Sequence, residues 1–137
     1  MNETIIRCSA GMGNPISGVA LSASDDFSAR YDLDRIRGVF SRPSHKLYGE
    51  SYVGKILVLN TAKGGVATAW MLLDMVSRGL APAALILNRA NPIMVQGAAF
   101  AELTLMHGFD VDIPTQVETG ELIRVDPVAK HLIKNHC

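Results

Sequence analysis

Between two apolar runs, 55–59 (KILVL) and 70–76 (WMLLDMV), the chain reads NTAKGGVATAW at 60–70. Residues of these types at this spacing suit anion binding. In a strand, glycine turn and helix, the backbone N–H groups that open the helix converge on one point, and the helix dipole adds to their pull on a carboxylate or phosphate. Lys63 would contribute a full charge, Gly64 and Gly65 a close backbone approach, and Thr61 and Thr68 hydroxyl groups. A tight structural turn is the simpler alternative on local spacing alone. The stretch has neither G-x-x-x-x-G-K-[ST] nor G-x-G-x-x-G, and no acidic residue ends the next strand to hold a ribose.

Other groups with chemistry are more scattered. Histidine is a residue type suited to proton transfer, so His45 is a candidate acid or base, against the plainer expectation of a solvated loop histidine. Asp25, Asp26, Asp32 and Asp34 are candidates for a metal or acid/base pair, or simply solvated loop carboxylates. The spacing of His131, His136 and Cys137 brings no set onto one helix face, so these read as tail residues and no metal site is expected. Met and Phe residues at helical spacing read as core.

The 137 residues suit one domain, 1–137, long enough to bury a sizeable core. Thirteen Lys and Arg balance thirteen Asp and Glu, with no dense basic stretch, which argues against phosphate neutralisation on a nucleic acid. At 48% hydrophobic residues the chain is globular, and no apolar run approaches the roughly 18 residues of a membrane span. The start, MNETIIRCSAG, lacks the features of a signal peptide, so the cytoplasm is expected. Cys8 and Cys137 spell neither a disulfide framework nor a zinc site, and an iron–sulfur cluster needs more thiolates than these.

The elements that must position the turn follow from periodicity. Strands are expected at 4–8 and 17–23, as a hairpin or sheet entry around the loop 9–15. Residues 24–54 are polar and aperiodic, and so long a loop without structure is usually functional. A strand at 55–59, a helix at 66–78 that is apolar nearly all round and stops at Gly79, and a strand at 83–87 form a βαβ unit. A helix over 93–106, strands at 109–113 and 122–125, and a terminal helix over 128–137 complete the expectation of an α/β fold.

In their order, the segments SHKLYGESYVGKILVL (44–59), the glycine turn, RGLAPAALIL (78–87), NPIMVQGAAFAE (91–102) and TGELIRVD (119–126), with GNPISGVALSAS before them, cover most of the chain. Together they resemble the small swivel domain or subunit of the aconitase X family. The resemblance implies a swivelling β/β/α domain, a mixed sheet with flanking helices, that docks on a large catalytic subunit. It would close the cleft where a small hydroxy-carboxylic acid is dehydrated. It further implies an iron–sulfur cluster or iron centre held by cysteines of that partner and no cofactor on this chain. Activities in the family include dehydration of cis-3-hydroxy-L-proline and of phosphomevalonate, both carboxylates.

The sequence departs from the family at the turn itself. The serine that serves as proton-abstracting base there aligns with Gly65, and the loop glycines after Ser28 are replaced by Ala29, Arg30, Tyr31 and Asp32; Ser28 and Asp34 are retained matches. The resemblance therefore implies Lys63, Gly64, Gly65 and Ser28 as substrate contacts and leaves the base among Thr61, Thr68 and groups of the partner. The alternatives are a catalytically silent or regulatory module that binds a small anion, and a scaffold with no ligand.

Overall fold

A computed structural model describes residues 2–29 and 31–136. Two strands that change partner midway build the main sheet. In β1 (Asn2–Met12) the first half pairs antiparallel with β9 (His131–His136) and the second half antiparallel with β7 (Thr104–Phe109). β2 (Ile16–Ser22) pairs antiparallel with β8 (Leu122–Asp126) through Val19, then runs parallel to β5 (Ile56–Thr61) from Ala20. With β6 (Ala84–Arg89) parallel to both β5 and β7, and β8 paired to β9, the sheet closes in the order β1-β7-β6-β5-β2-β8-β9. Closure pairs the strand edges that an open sheet would expose.

The unbroken apolar runs of β5 and β6 reflect burial on both faces. Ile56, Val58, Ala84 and Ile86 point into the barrel with Met106, Ile123, Val125 and Leu132. Their neighbours Leu57, Leu59, Leu85 and Leu87 face outward into a second core with Leu72 and Met75 of α1 (Val66–Ser77) and Met94 and Ala98 of α2 (Pro92–Phe100). The period-two alternation that places side chains on opposite faces thus feeds two apolar layers. Helices α1 and α2 meet where Gly97 lies against Ala69: a Cβ on Gly97 would fall 2.6 Å from the Ala69 Cβ. Gly97→Ala is expected to push the helices apart and cost on the order of 2 kcal/mol, read as a lower urea midpoint; an unchanged midpoint would show that this contact is slack.

The βαβ unit is present, with β5 and β6 in parallel register from Ile56↔Ala84 to Thr61↔Arg89. Four expectations change. β1 and β2 form no hairpin, because each pairs with strands from the far end of the chain. The helix expected to reach 106 ends at Phe100: Glu102 adopts φ 56°, its N–H donates to Ala99 O, and Leu103 N–H donates to Ala98 O, a helix stop of the Schellman type. The apolar residues beyond it form β7, so the strand expected at 109–113 lies at 104–109 and short α3 (Ile113–Gln116) follows. The terminal segment is strand β9 instead of a helix, since β1 and β8 both need a partner to close the barrel; Cys137 lies outside the described residues.

Segment 24–54 is not structureless. It carries the short hairpin β3 (Leu33–Asp34) and β4 (Val39–Phe40) and wraps around fully buried Phe27, Phe40 and Tyr52. Among the described residues no helix is long and apolar enough to cross a membrane.

Candidate functional site

At the carboxyl end of β5 the chain is pinned to the 24–54 segment. Phe27 N–H donates to Thr61 O (2.8 Å) and Lys63 N–H donates to Phe27 O (2.7 Å). It then turns sharply at Gly64, whose φ of +123° suits glycine, and where a Cβ would sit 2.1 Å from Thr68 Oγ1. Gly65 is the N-cap of α1 and supplies no side-chain cap. The first helical bond runs from Ala69 N–H to Gly65 O (3.1 Å), so the N–H groups of Val66, Ala67 and Thr68 lie ahead of it at the positive end of the helix.

These residues form one wall of a cavity of about 580 Å³, and Asp25, Asp26, Ser28, Tyr31, Asp32 and Arg42 from the long segment form the other. Lys63 Nζ lies 3.2 Å from Asp26 Oδ2. The Asp26 Oδ1 accepts from Asn60 Nδ2 (2.8 Å), and Asn88 Nδ2 donates both to Asn60 Oδ1 (3.1 Å) and to Asp112 Oδ1 (2.7 Å). This ladder ties the carboxyl ends of β5 and β6 together, the end at which parallel sheets bind ligands. Asp32, buried, accepts from Ser28 N–H (2.9 Å) and from Arg42 Nε–H. Burial pushes the Asp25 carboxyl up, but N–H donation from Lys46 and Asp26 and the nearby Arg42 guanidinium outweigh it and hold the group below its ordinary value.

His45 is no solvated loop residue. Its side chain is wholly buried and stacks on Phe40 at 4.6 Å. Nε2–H donates to Asp26 O (2.7 Å) while Nδ1 accepts from Leu47 N–H (3.0 Å). One donor and one acceptor select the neutral tautomer, which holds the acidic strip beside the turn instead of meeting a ligand.

Of the residues singled out from sequence, Lys63, Gly64, Gly65, Thr68 and Ser28 line the one cavity. Thr61 does not, because its hydroxyl donates to Arg89 O (3.0 Å). Asp25, Asp26 and Asp32 converge there as bonded groups instead of solvated carboxylates, while Asp34 caps its own turn by accepting from Ile36 and Arg37 N–H. Arg30 lies outside the described residues. Sequence reasoning missed Arg42 and the Asn60–Asn88–Asp112 ladder; the signal for the ladder was a carboxamide closing each of two apolar strand runs.

Among the described residues no group of three or more His, Cys, Asp or Glu side chains is placed to hold a metal. The half-buried Cys8 thiol donates to Ala10 O (3.4 Å) and has no companion thiol among the described residues, so these residues do not fit an iron–sulfur cluster.

Known proteins resemble this chain in sequence and geometry. The phosphomevalonate dehydratase small subunit of Methanopyrus kandleri is 30% identical over 95% of this chain and 98% of its own length. The protein of the same name from Methanothrix thermoacetophila is 32% identical over 74% of each chain. The crystal structure of Thermococcus kodakaraensis aconitase X in its holo form superposes with a TM-score of 0.87 over 97% of this chain and 99% of that one, at 23% identity, and so shows the fold. Residues 5–134 match the family model described as the aconitase X swivel domain; with a mixed barrel, two flanking helices and a glycine turn opening the first of them, the chain belongs to the aconitase X swivel-domain family.

Proposed function

We propose that this chain is the small swivel subunit of an aconitase X-type hydro-lyase, docking in the cytoplasm on a large catalytic subunit and helping to hold a hydroxy-carboxylic acid while it is dehydrated. The observation that supports it is the cavity at the end of β5, where the open amides of α1 and Lys63 stand beside Ser28 and Thr68 in a chain of this family. A carboxylate at the helix entrance meets backbone donors that need no reorganisation. The names of the archaeal relatives put phosphomevalonate first among the hydroxy-carboxylates to assay. The iron or iron–sulfur chemistry belongs to the partner, since the residues here do not fit a cluster.

Gly65 has no side chain to take a proton, so the base is a cavity hydroxyl or a group of the partner. Thr68 is favoured over Thr61, whose hydroxyl is committed to Arg89 O. The same glycine favours a second reading, a catalytically silent subunit that binds an anion and closes the site. An apolar groove containing Trp70, Ile93 and Phe100 begins at Val66, the residue it shares with the cavity, and cover by a partner would suit it.

Affinity capture of this chain from its native extract, with mass identification of what accompanies it and assay of the pair for water loss, tests the proposal. A larger aconitase-like subunit with activity supports it; that subunit without activity on any hydroxy-carboxylate selects the silent reading. Repeated recovery of the chain alone at low salt removes the dehydratase. Lys63→Ala is expected to weaken carboxylate binding only about fivefold, because the ammonium is exposed and shared with Asp26; unchanged affinity in a titration would exclude Lys63 from the contact.

A further inference from the structure

Among the described residues three carboxylates and two cations line the cavity, a formal excess of one negative charge that argues at first sight against an anionic ligand. The hydrogen bonds point the other way. Both oxygens of Asp32 accept, from Ser28 N–H and Arg42 Nε–H. Asp26 accepts from Asn60 and pairs with Lys63, and Asp25 accepts from the N–H groups of Asp26 and Lys46. Ser28 Oγ accepts from Tyr31 N–H (3.3 Å). The carboxylate oxygens are engaged with protein donors; among the described residues the amides at the start of α1 and Nη2 of Arg42 have no partner, while Lys63, exposed, is paired with Asp26.

Arg42 is the better organised of the two cations. Of its N–H groups, Nε–H goes to Asp32 and one Nη1–H to Ser44 Oγ (2.7 Å), while Nη2 has no partner among the described residues. Its main chain is tied to the same aspartate: Asp32 O accepts from Ser41 N–H (2.8 Å) and Arg42 N–H (3.4 Å). The Asp32 side chain is 4% exposed, against 39% for that of Arg42 and 66% for that of Lys63. A fork held at both ends by one buried residue loses little freedom when it binds, and its planar donors match a carboxylate or phosphate.

We infer that Arg42 is the principal anion anchor of this cavity, with Asp32 as its positioning residue, and that a ligand's carboxylate or phosphate is bound jointly by the Arg42 guanidinium and the opening amides of α1. As a statement about substrate it rests on the proposed dehydratase; as a statement about anion binding it stands on the chain alone. Arg42, not Lys63, then decides affinity for the anionic group.

The test is an amide-shift titration of the full chain with inorganic phosphate, following residues 64–68. Arg42→Ala is expected to weaken binding about tenfold or more and Arg42→Lys, which keeps the charge and loses the fork, by about threefold. Asp32→Asn should weaken it as well, and the Asp32→Asn, Arg42→Ala pair should bind no worse than Arg42→Ala, since the aspartate acts only through the arginine. Arg124→Ala, at an exposed position of β8, should bind as wild type. Should Asp32→Asn fail to fold, the Arg42 variants decide alone. Wild-type affinity in Arg42→Ala, or no saturable shift in the wild type, overturns the inference. The two proposals fail separately: phosphate bound without a captured partner removes the dehydratase and leaves the anchor, whereas an active complex whose KM is indifferent to Arg42→Ala removes the anchor and leaves the dehydratase.

Discussion

Gly64→Ala is expected to destabilise the protein by on the order of 3 kcal/mol, while Gly65→Ser, one residue on, leaves stability within about 0.5 kcal/mol. The contrast comes from backbone and space. At Gly64 the φ of +123° strains any L side chain, and the new methyl would be driven into Thr68 Oγ1 at 2.1 Å. Relief requires the turn to open, which displaces the amides that start α1. At Gly65 φ is −119°, outside the left-handed region that strains a side chain, and nothing among the described residues lies within 4 Å of an added Cβ. A serine there also occupies an N-cap that lacks a side-chain acceptor. Urea unfolding of both variants, with the shifts of the 64–68 amides, checks the pair. Equal losses would refute the turn geometry, and collapse of Gly65→Ser alone would remove the placing of Gly65 at the family's serine position.

His45→Ala is expected to cost about 3 kcal/mol. The imidazole is wholly buried against Phe40, so its removal leaves a cavity, and it strands two backbone groups, Asp26 O and Leu47 N–H. Because Asp26 holds Lys63 and Asn60, the loss should spread into the cavity wall. Denaturant unfolding measures the cost, and faster hydrogen exchange at Leu47 N–H would locate it. His45→Phe keeps the stacking and loses both bonds, so it should recover part of the stability and none of the exchange protection. A loss under about 1 kcal/mol in His45→Ala would mean that water replaces the ring at little cost.

Much of the site was legible because the turn is local. Strand 55–59, the glycines and helix 66–78 lie within one stretch whose propensities and caps agree, and Lys63, Gly64, Gly65 and Thr68 reach the cavity from there. Ser28 was legible only through its resemblance to a family position. Of the other wall, Asp25, Asp26 and Asp32 were candidates without a stated arrangement, and Arg42 was not singled out. Arg42 is bonded to Asp32, ten residues away, and Asn60 to Asn88, which also reaches Asp112 on another element. His45, flanked by Ser44 and Lys46, reads as solvated, yet the folding of its segment buries it.

The α/β class, the βαβ unit, the glycine turn at the head of α1 and the kinship with aconitase X swivel domains were all readable without the structure. Each depends on short-range pattern or on segment order, which survive without knowledge of contacts. Closure of the sheet, a strand at His131–His136 in place of a helix, and the use of an aperiodic segment as the second wall of the cavity came from tertiary contacts. Those outcomes depend on long-range pairing: β9 is a strand because β1 and β8 leave unpaired backbone on both sides of it, and backbone donors and acceptors must find partners wherever the chain brings them. For the same reason the pairing of Asp25, Asp26 and Asp32 with protein donors was hidden in the cavity's formal charge and depends on contacts that only folding makes.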